Sequence, residues 1–238
     1  MISVRNISLQ IEGKTLLEDL SFELSQGKTL IVLGKSGAGK TVLIKTLMGL
    51  FEANSGVIEI DGTEMSQASA LQKSEILSRF AMVFQNAALL DSFTVYQNVA
   101  LPLYNRKKDS AEAIYERVRK SLDVVGLIQV MESYPSALSG GMRKRVGIAR
   151  ALVYEPKYIV FDEPVSGLDP ITAKEIMSYI HKIKRDESIS TIIITHELKS
   201  LHSLGDSVLF INQGMARFFS KVEDFKADND PLIREFLA

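Results

Sequence analysis

Gly34, Lys35, Ser36, Gly37, Ala38, Gly39, Lys40 and Thr41 spell GKSGAGKT, set between an apolar run and the helically spaced VLIKTLMGL. In that setting the pattern G-x-x-x-x-G-K-[ST] reads as a phosphate cradle. Its glycines let successive main-chain N–H groups turn inward onto phosphate oxygens, and the helix that follows adds its positive end. Lys40 is placed to neutralise the β- and γ-phosphates, and the Thr41 hydroxyl to ligate Mg²⁺. The plainer alternative is a glycine-rich turn from strand to helix.

A second group lies in YIVFDEP, an apolar run that ends in two acids and a proline. Adjacent carboxylates at a strand end are costly unless a cation or a reaction uses them. Asp162 is therefore assigned to Mg²⁺, through water, and Glu163 to the attacking water; a solvated turn is the other reading. The third group, LSGGM, sets Ser139, Gly140 and Gly141 at the start of a helical stripe. It forms either a second anion-binding terminus or a Ser N-cap with a glycine turn.

Positioning these residues takes strands that end at the site and helices that pack behind them. Thr29 to Leu33, Phe80 to Phe84, Tyr158 to Asp162 and Thr191 to Thr195 are short runs rich in β-branched or aromatic residues, and predict buried strands. Ser207 to Ile211 leads through Asn212, Gln213 and Gly214 into MARFF, which predicts an edge hairpin. The first 25 residues and Gly56 to Gly62 alternate as antiparallel strands, with Asp61-Gly62 as a turn, so a mixed sheet is expected. Three stripes recur at helical spacing: Ala111, Ile114, Val118, Leu122 and Val125; Met142, Val146, Ala149 and Val153; Ala173, Ile176, Ile180 and Ile183. Residues from about 86 to 155 show helices and no convincing strand, which reads as a helical insertion into one α/β domain spanning 1–238.

Composition narrows the classes. With 46% hydrophobic and 24% charged residues, the 238-residue chain has the material for a sizeable core. A net charge of -1 supplies no global field toward nucleic acid or an anionic membrane. The lack of cysteine excludes disulfides and thiolate metal sites and fits a reducing cytosol. No apolar stretch approaches the ~20 residues that span a bilayer, and MISVRNISLQ has no signal-peptide layout. The cluster Arg143, Lys144, Arg145 reads as the solvated face of a helix, not as a nucleic-acid patch.

Taken in order, these motifs resemble those of the ATP-binding cassette (ABC) transporter ATPases over essentially the whole chain. GKSGAGKT is similar to the Walker A loop, Gln85 in VFQNAALL to the Q-loop glutamine and LSGGM to the signature. FDEP is similar to Walker B, SGLD, ending in Asp169, to the D-loop, and His196 in ITHE to the switch histidine. The resemblance implies a P-loop NTPase of the ABC nucleotide-binding type, with a RecA-like α/β core, an antiparallel β-subdomain and a helical subdomain. It implies ATP and Mg²⁺, and two copies arranged head to tail so that the signature of one covers the γ-phosphate held by the Walker A loop of the other. Gln85 and His196 both follow strand C-termini, where ligands of open α/β sheets bind, and the resemblance puts Gln85 near Mg²⁺ and His196 near the γ-phosphate. One departure stands out: many family members stack an aromatic residue on adenine at a position that falls here on Ile11, and no aromatic lies between Met1 and Leu20.

Within the family, FQNAALLDSFTVYQNVALPL, the signature helix with Met142, SGLDPIT and the ending DNDPLIREFLA resemble ATPases of Mla-type (MCE-associated) phospholipid transport systems. ATPases of methionine or amino-acid importers are the alternative. The stretch after His196 is too short for the regulatory domain of sugar-importer relatives, and too little chain separates Lys40 from Ser139 for a coiled coil of the DNA-repair type. The expectation is a bare ATPase subunit on the cytoplasmic face of the inner membrane. It would meet a separate permease through the cleft beside Gln85, with a lipid-binding MCE protein in the same complex.

Overall fold

The structure, a computed structural model, describes residues 1–104, 109–196 and 204–237. Two compact units divide it, Met1–Ser78 with Glu187–Ala238, and Arg79–Asp186. Among the described residues no helix is long and apolar enough to cross a membrane.

In the first unit, strands β1 (Ile2–Ile11) and β2 (Lys14–Leu24) run antiparallel. They bury Ile2, Val4, Ile7, Leu9, Leu17, Leu20, Phe22 and Leu24. On the other side of β1 lies β4 (Ser55–Ile60), which turns into the short β5 (Thr63–Glu64). Asp61 and Gly62 make that turn at φ 51 and 80, the left-handed pair that suits a two-residue hairpin. Helix α2 (Ala70–Leu77) opens on a capping box between Ser69 and Gln72.

The site depends on β3 (Thr29–Leu33), in which every residue is buried. It lies parallel to both β8 (Ser190–Thr195) and β9 (Ser207–Asn212), so apolar side chains are needed on both faces. Polar groups at its start are satisfied internally. The Thr29 and Thr191 hydroxyls bond at 2.7 Å, and the Thr29 N–H donates to the Asp206 carboxylate at 2.8 Å. The order in this unit is β5-β4-β1-β2-β10-β9-β3-β8, where β10 is Met215–Phe219.

That order corrects one expectation. The β9–β10 hairpin forms, but it is not at an edge. Met215 pairs in parallel with Glu18 of β2, and the Glu18 N–H donates to the Gly214 carbonyl at 2.9 Å. The main-chain groups of β2 need partners, and β10 supplies them. The exposed Met215 and Arg217 gave the strand the look of an edge. Beyond it, α7 (Val222–Ala227) buries Phe225 against the Phe210 and Phe219 rings, at 5.8 and 5.4 Å between centroids. Helix α8 (Pro231–Leu237) follows, held by Arg217, whose guanidinium donates to both Asp228 and Asp230.

In the second unit, β6 (Phe80–Val83) and β7 (Tyr158–Asp162) pair in parallel, with the Phe80 and Tyr158 rings stacked at 4.6 Å. Between them in sequence come α3 (Val95–Ala100), α4 (Ala111–Val124) and α5 (Gly140–Leu152), and after β7 comes α6 (Pro170–Lys184). No strand occurs among the described residues of 86–155. Helix α5 packs against α3, α4, α6 and β6 and so forms the axis of this unit.

Candidate functional site

The first unit presents the loop from Gly34 to Thr41. Strand β3 ends at Leu33, and Gly34 passes so close to β9 that a Cβ there would collide with the Ile211 carbonyl oxygen. Gly39, at φ 112, caps helix α1 (Lys40–Leu47), where no side chain caps the first turn. A helix start of this kind, with its positive end, is suited to an anion. Lys40 is buried, and its ammonium folds back to donate to the Gly34 carbonyl at 2.5 Å and the Lys35 carbonyl at 3.1 Å, closing the loop into a ring. Lys35, Ser36, Gly37 and Thr41 are exposed, while Ala38 is buried and its carbonyl accepts the Gly214 N–H at 3.1 Å. Lys35 pairs with Glu235 of α8 at 2.6 Å, which holds that carboxyl below its usual range. His196 is exposed just past the end of β8, and Ile11 is half-buried at the end of β1. Both belong to this unit.

The second unit gathers Gln85, Ser139, Gly140, Gly141, Asp162, Glu163 and Asp169. Asp162 is the last residue of β7, and Glu163 follows at φ 47, a left-handed conformation that is uncommon outside glycine. Its carbonyl accepts the Ser166 N–H at 3.2 Å, which starts a tight loop toward α6. Gln85, exposed beyond the end of β6, donates from Nε2 to the Ser166 hydroxyl at 3.3 Å. The segment carrying Gln85 is held from α5. Ala87 and Ala88 are left-handed, at φ 58 and 47, and their carbonyls both accept from the Arg150 guanidinium, Ala88 at 2.7 Å. Burial pushes the Arg150 pKa down, so these carbonyls carry the solvation the cation has lost.

Ser139 is the N-cap of α5, its hydroxyl accepting the Met142 N–H at 3.2 Å. The two glycines beside it differ. A Cβ on Gly141 would collide with the Thr172 Cγ2 of α6, whereas a Cβ on Gly140 would meet open space. Gly141 is therefore fixed by helix packing, and Gly140 leaves exposed main chain. Asp169 caps α6: its carboxylate accepts the Ile171 and Thr172 N–H groups, each at 3.0 Å, and the Thr172 hydroxyl at 2.6 Å. Those bonds, that of the Thr172 hydroxyl foremost, lower its pKa. The cap's contribution is present above the unfolded Asp value and is lost as the pH falls through the lowered one.

The basic trio is a solvated face only in part: Arg143 is exposed and Arg145 half-buried, but Lys144 is not solvated. Lys144 is buried, and its ammonium donates to the carbonyls of Pro164 at 3.1 Å and Ser166 at 2.7 Å. Arg143 donates to the Leu138 carbonyl at 2.6 Å, and Arg145 to that of Val125 at 3.4 Å. The physical reason is that α5 is buried nearly all round, with Val146, Gly147, Ile148, Ala149 and Ala151 inside. A signal was there: Gly147, Ile148 and Ala151 share the face of Lys144, and small residues on a cation's face mark close approach by another element. Lys144 and Arg150 are the site-supporting residues that motif reading passed over.

Thr41 in the first unit, and Gln85 and Asp162 in the second, each carry a hard oxygen donor of the kind Mg²⁺ takes. Among the described residues no cluster of three His, Cys, Asp or Glu could hold a metal alone.

The glycine contrast is testable by stability. Gly141→Ala should lower stability by about 1–3 kcal/mol through overpacking, and Thr172→Ser, which removes the opposing methyl and keeps the hydroxyl, should restore much of it. Gly140→Ala should be neutral or slightly stabilising. Urea midpoints of the four proteins decide it; equal midpoints for Gly140→Ala and Gly141→Ala would contradict the packing argument.

With this geometry in place, residues 17–166 match the family described as ABC transporter. The chain is 36% identical, over its whole length, to a methionine import ATP-binding protein, MetN, of Carboxydothermus hydrogenoformans, and covers 71% of it. It is 34% identical across 99% of its length to a probable ribonucleotide transport ATP-binding protein, mkl, of Mycobacterium leprae, and covers 68% of that protein. Among solved structures, cbiO1 of Clostridium perfringens, part of the ABC transporter complex cbiONQ, matches with a TM-score of 0.86 at 27% identity over 98% of this chain and 93% of that one. A dimeric ATP-binding cassette in a post-hydrolysis state, bound to ADP and Pi, matches with a TM-score of 0.82 at 25% identity over 93% of this chain and 99% of that one. The chain belongs to the ABC transporter family as an ATP-binding, ATP-hydrolysing subunit.

Proposed function

We propose that this ATPase drives movement of phospholipid between membranes through a separate integral-membrane permease. It would work as a head-to-tail homodimer at the cytoplasmic face of the inner membrane, with a lipid-binding MCE protein in the same complex. The observation that carries the lipid assignment is the resemblance of Phe84 to Leu103, the Met142-bearing signature helix and the DNDPLIREFLA ending to Mla-type ATPases. The ending is a built piece of the fold, since Arg217 forks onto Asp228 and Asp230 and Ile233 is fully buried. A second reading, methionine import, is favoured by the MetN relative at 36% identity.

In this reading the loop from Gly34 to Thr41 binds the phosphates of ATP. The Lys40 ammonium, now on the Gly34 and Lys35 carbonyls, turns to the β- and γ-oxygens. Glu163 orients the attacking water and accepts its proton. Gln85, bonded to Ser166 of the loop that follows Glu163, senses the permease side, and His196 contacts the γ-phosphate. Bound Mg²⁺, held by Thr41, Asp162 and Gln85, would neutralise charge building on the phosphates. Ser139 and Gly140 of one copy, and Asp169 with them, face the nucleotide of the other. The related cassette, solved as a dimer with ADP and Pi, supports that arrangement.

Glu163→Gln should keep ATP binding and lose turnover on the order of 10²-fold or more, so that ATP-bound dimers accumulate on gel filtration. Near-normal hydrolysis would count against the role given to Glu163. For cargo, the tagged chain recovered from detergent-solubilised membranes should bring a permease and an MCE-type lipid-binding protein. Recovery of an amino-acid-binding lipoprotein instead would overturn the phospholipid reading in favour of methionine import.

A further inference from the structure

We propose that Lys144 is a positioning residue for hydrolysis: held between the Pro164 and Ser166 carbonyls, its ammonium fixes the main chain that follows Glu163, and with it the Glu163 carboxylate. This rests on the reading of Glu163 as the residue that acts on the attacking water.

The loop from Glu163 to Asp169 has little regular structure to hold it. Glu163 and Gly167 are both left-handed, at φ 47 and 71. Main-chain bonds within the loop include Ser166 N–H to the Glu163 carbonyl at 3.2 Å and Leu168 N–H to the Val165 carbonyl at 3.3 Å. The carbonyls of Pro164 and Ser166 point to α5, where the Lys144 ammonium meets them at 3.1 and 2.7 Å with only 9% of the residue exposed. Pro164 and Val165 are themselves buried, so water cannot readily replace the donor. Lysine suits the place because its stem reaches across from a packed helix and its ammonium donates in several directions at once. Burying it without those acceptors would be costly, and the two groups therefore specify each other's positions.

The bond has a wider consequence. Ser166 also accepts the Gln85 amide through its hydroxyl, at 3.3 Å. Lys144 thus ties the helix that starts at Ser139 to the residue where the Gln85 and Glu163 segments meet. A shift of α5 is carried into the main chain beside Glu163 through one buried ammonium.

The test compares Lys144→Met, Lys144→Arg and Glu163→Gln, and the Lys144→Met/Glu163→Gln pair, all in the full chain. Steady-state ATPase kinetics, binding of a fluorescent ATP analogue and thermal unfolding are measured for each. Lys144→Met should lower kcat on the order of 10- to 100-fold with KM and analogue affinity within about twofold, because the phosphates are held elsewhere in the chain. Lys144→Arg, which can still donate to both carbonyls, should recover most of that loss. In the Glu163→Gln background Lys144→Met should cost nothing more, the non-additivity expected of two residues acting as one. If Lys144→Met does not fold, Lys144→Gln, with one amide donor, is expected to show a smaller kcat loss of the same pattern. Unchanged kcat in a folded Lys144→Met or Lys144→Gln protein, alongside an inactive Glu163→Gln, overturns this proposal alone. Losses that add in the double variant, or a loss confined to KM, overturn it too. Near-normal turnover of Glu163→Gln removes the reading of Glu163 itself.

Discussion

Main-chain carbonyls that turn inward where the site loops leave regular structure are the constraint around which this chain is organised. An inward carbonyl must be bonded, and a loop has no ladder to bond it. Long cationic side chains answer the need throughout. Lys40 closes the phosphate loop on the Gly34 and Lys35 carbonyls. Lys144 takes those of Pro164 and Ser166, and Arg150 takes those of Ala87 and Ala88. In each case a residue on a packed helix holds irregular backbone that carries a site residue. The cation is desolvated and the carbonyl satisfied by the same contact, so the loops are held without being made regular.

The lysine of the phosphate loop differs from the other two cations in what it can do next. Lys40 has a better partner in prospect, since phosphate oxygens carry full charge and carbonyl oxygens only partial charge. Lys144 and Arg150 meet uncharged carbonyls within the Arg79–Asp186 unit. In the proposed reaction Lys40 would exchange its partners on binding, while Lys144 and Arg150 would maintain the frame around it.

Much of this was legible in the sequence. Strand β3 could be read because a run buried on both faces must be apolar throughout, and the loop after it because its residue spacing has a mechanism attached. The Asp61-Gly62 hairpin was legible because that dipeptide tolerates two left-handed residues in a row. The setting of β10 was not, since what hides its edge is β2, nearly two hundred positions earlier in the chain, and periodicity carries no information about such a neighbour. The roles of Lys144 and Arg150 were missed for a related reason. A charge in a helical stripe reads as solvated unless the opposite face is seen to be buried as well, and the clue in α5 was only Gly147 and Ala151. At Asp169 the motif suggested contact with nucleotide, and the structure adds a cap on α6 that uses both carboxylate oxygens.

We propose that one chain carries two complementary halves of an ATPase site, a phosphate loop built on Lys40 and a signature helix that starts at Ser139, which complete each other between two copies. Mixing Ser139→Arg subunits with Lys40→Ala subunits tests it most directly. A heterodimer then has one composite site with both parts intact and one with both parts broken. ATP hydrolysis by the mixture should rise well above that of either variant alone. Heterodimers shown to form, yet no more active than the separate variants, would contradict a site shared between two chains.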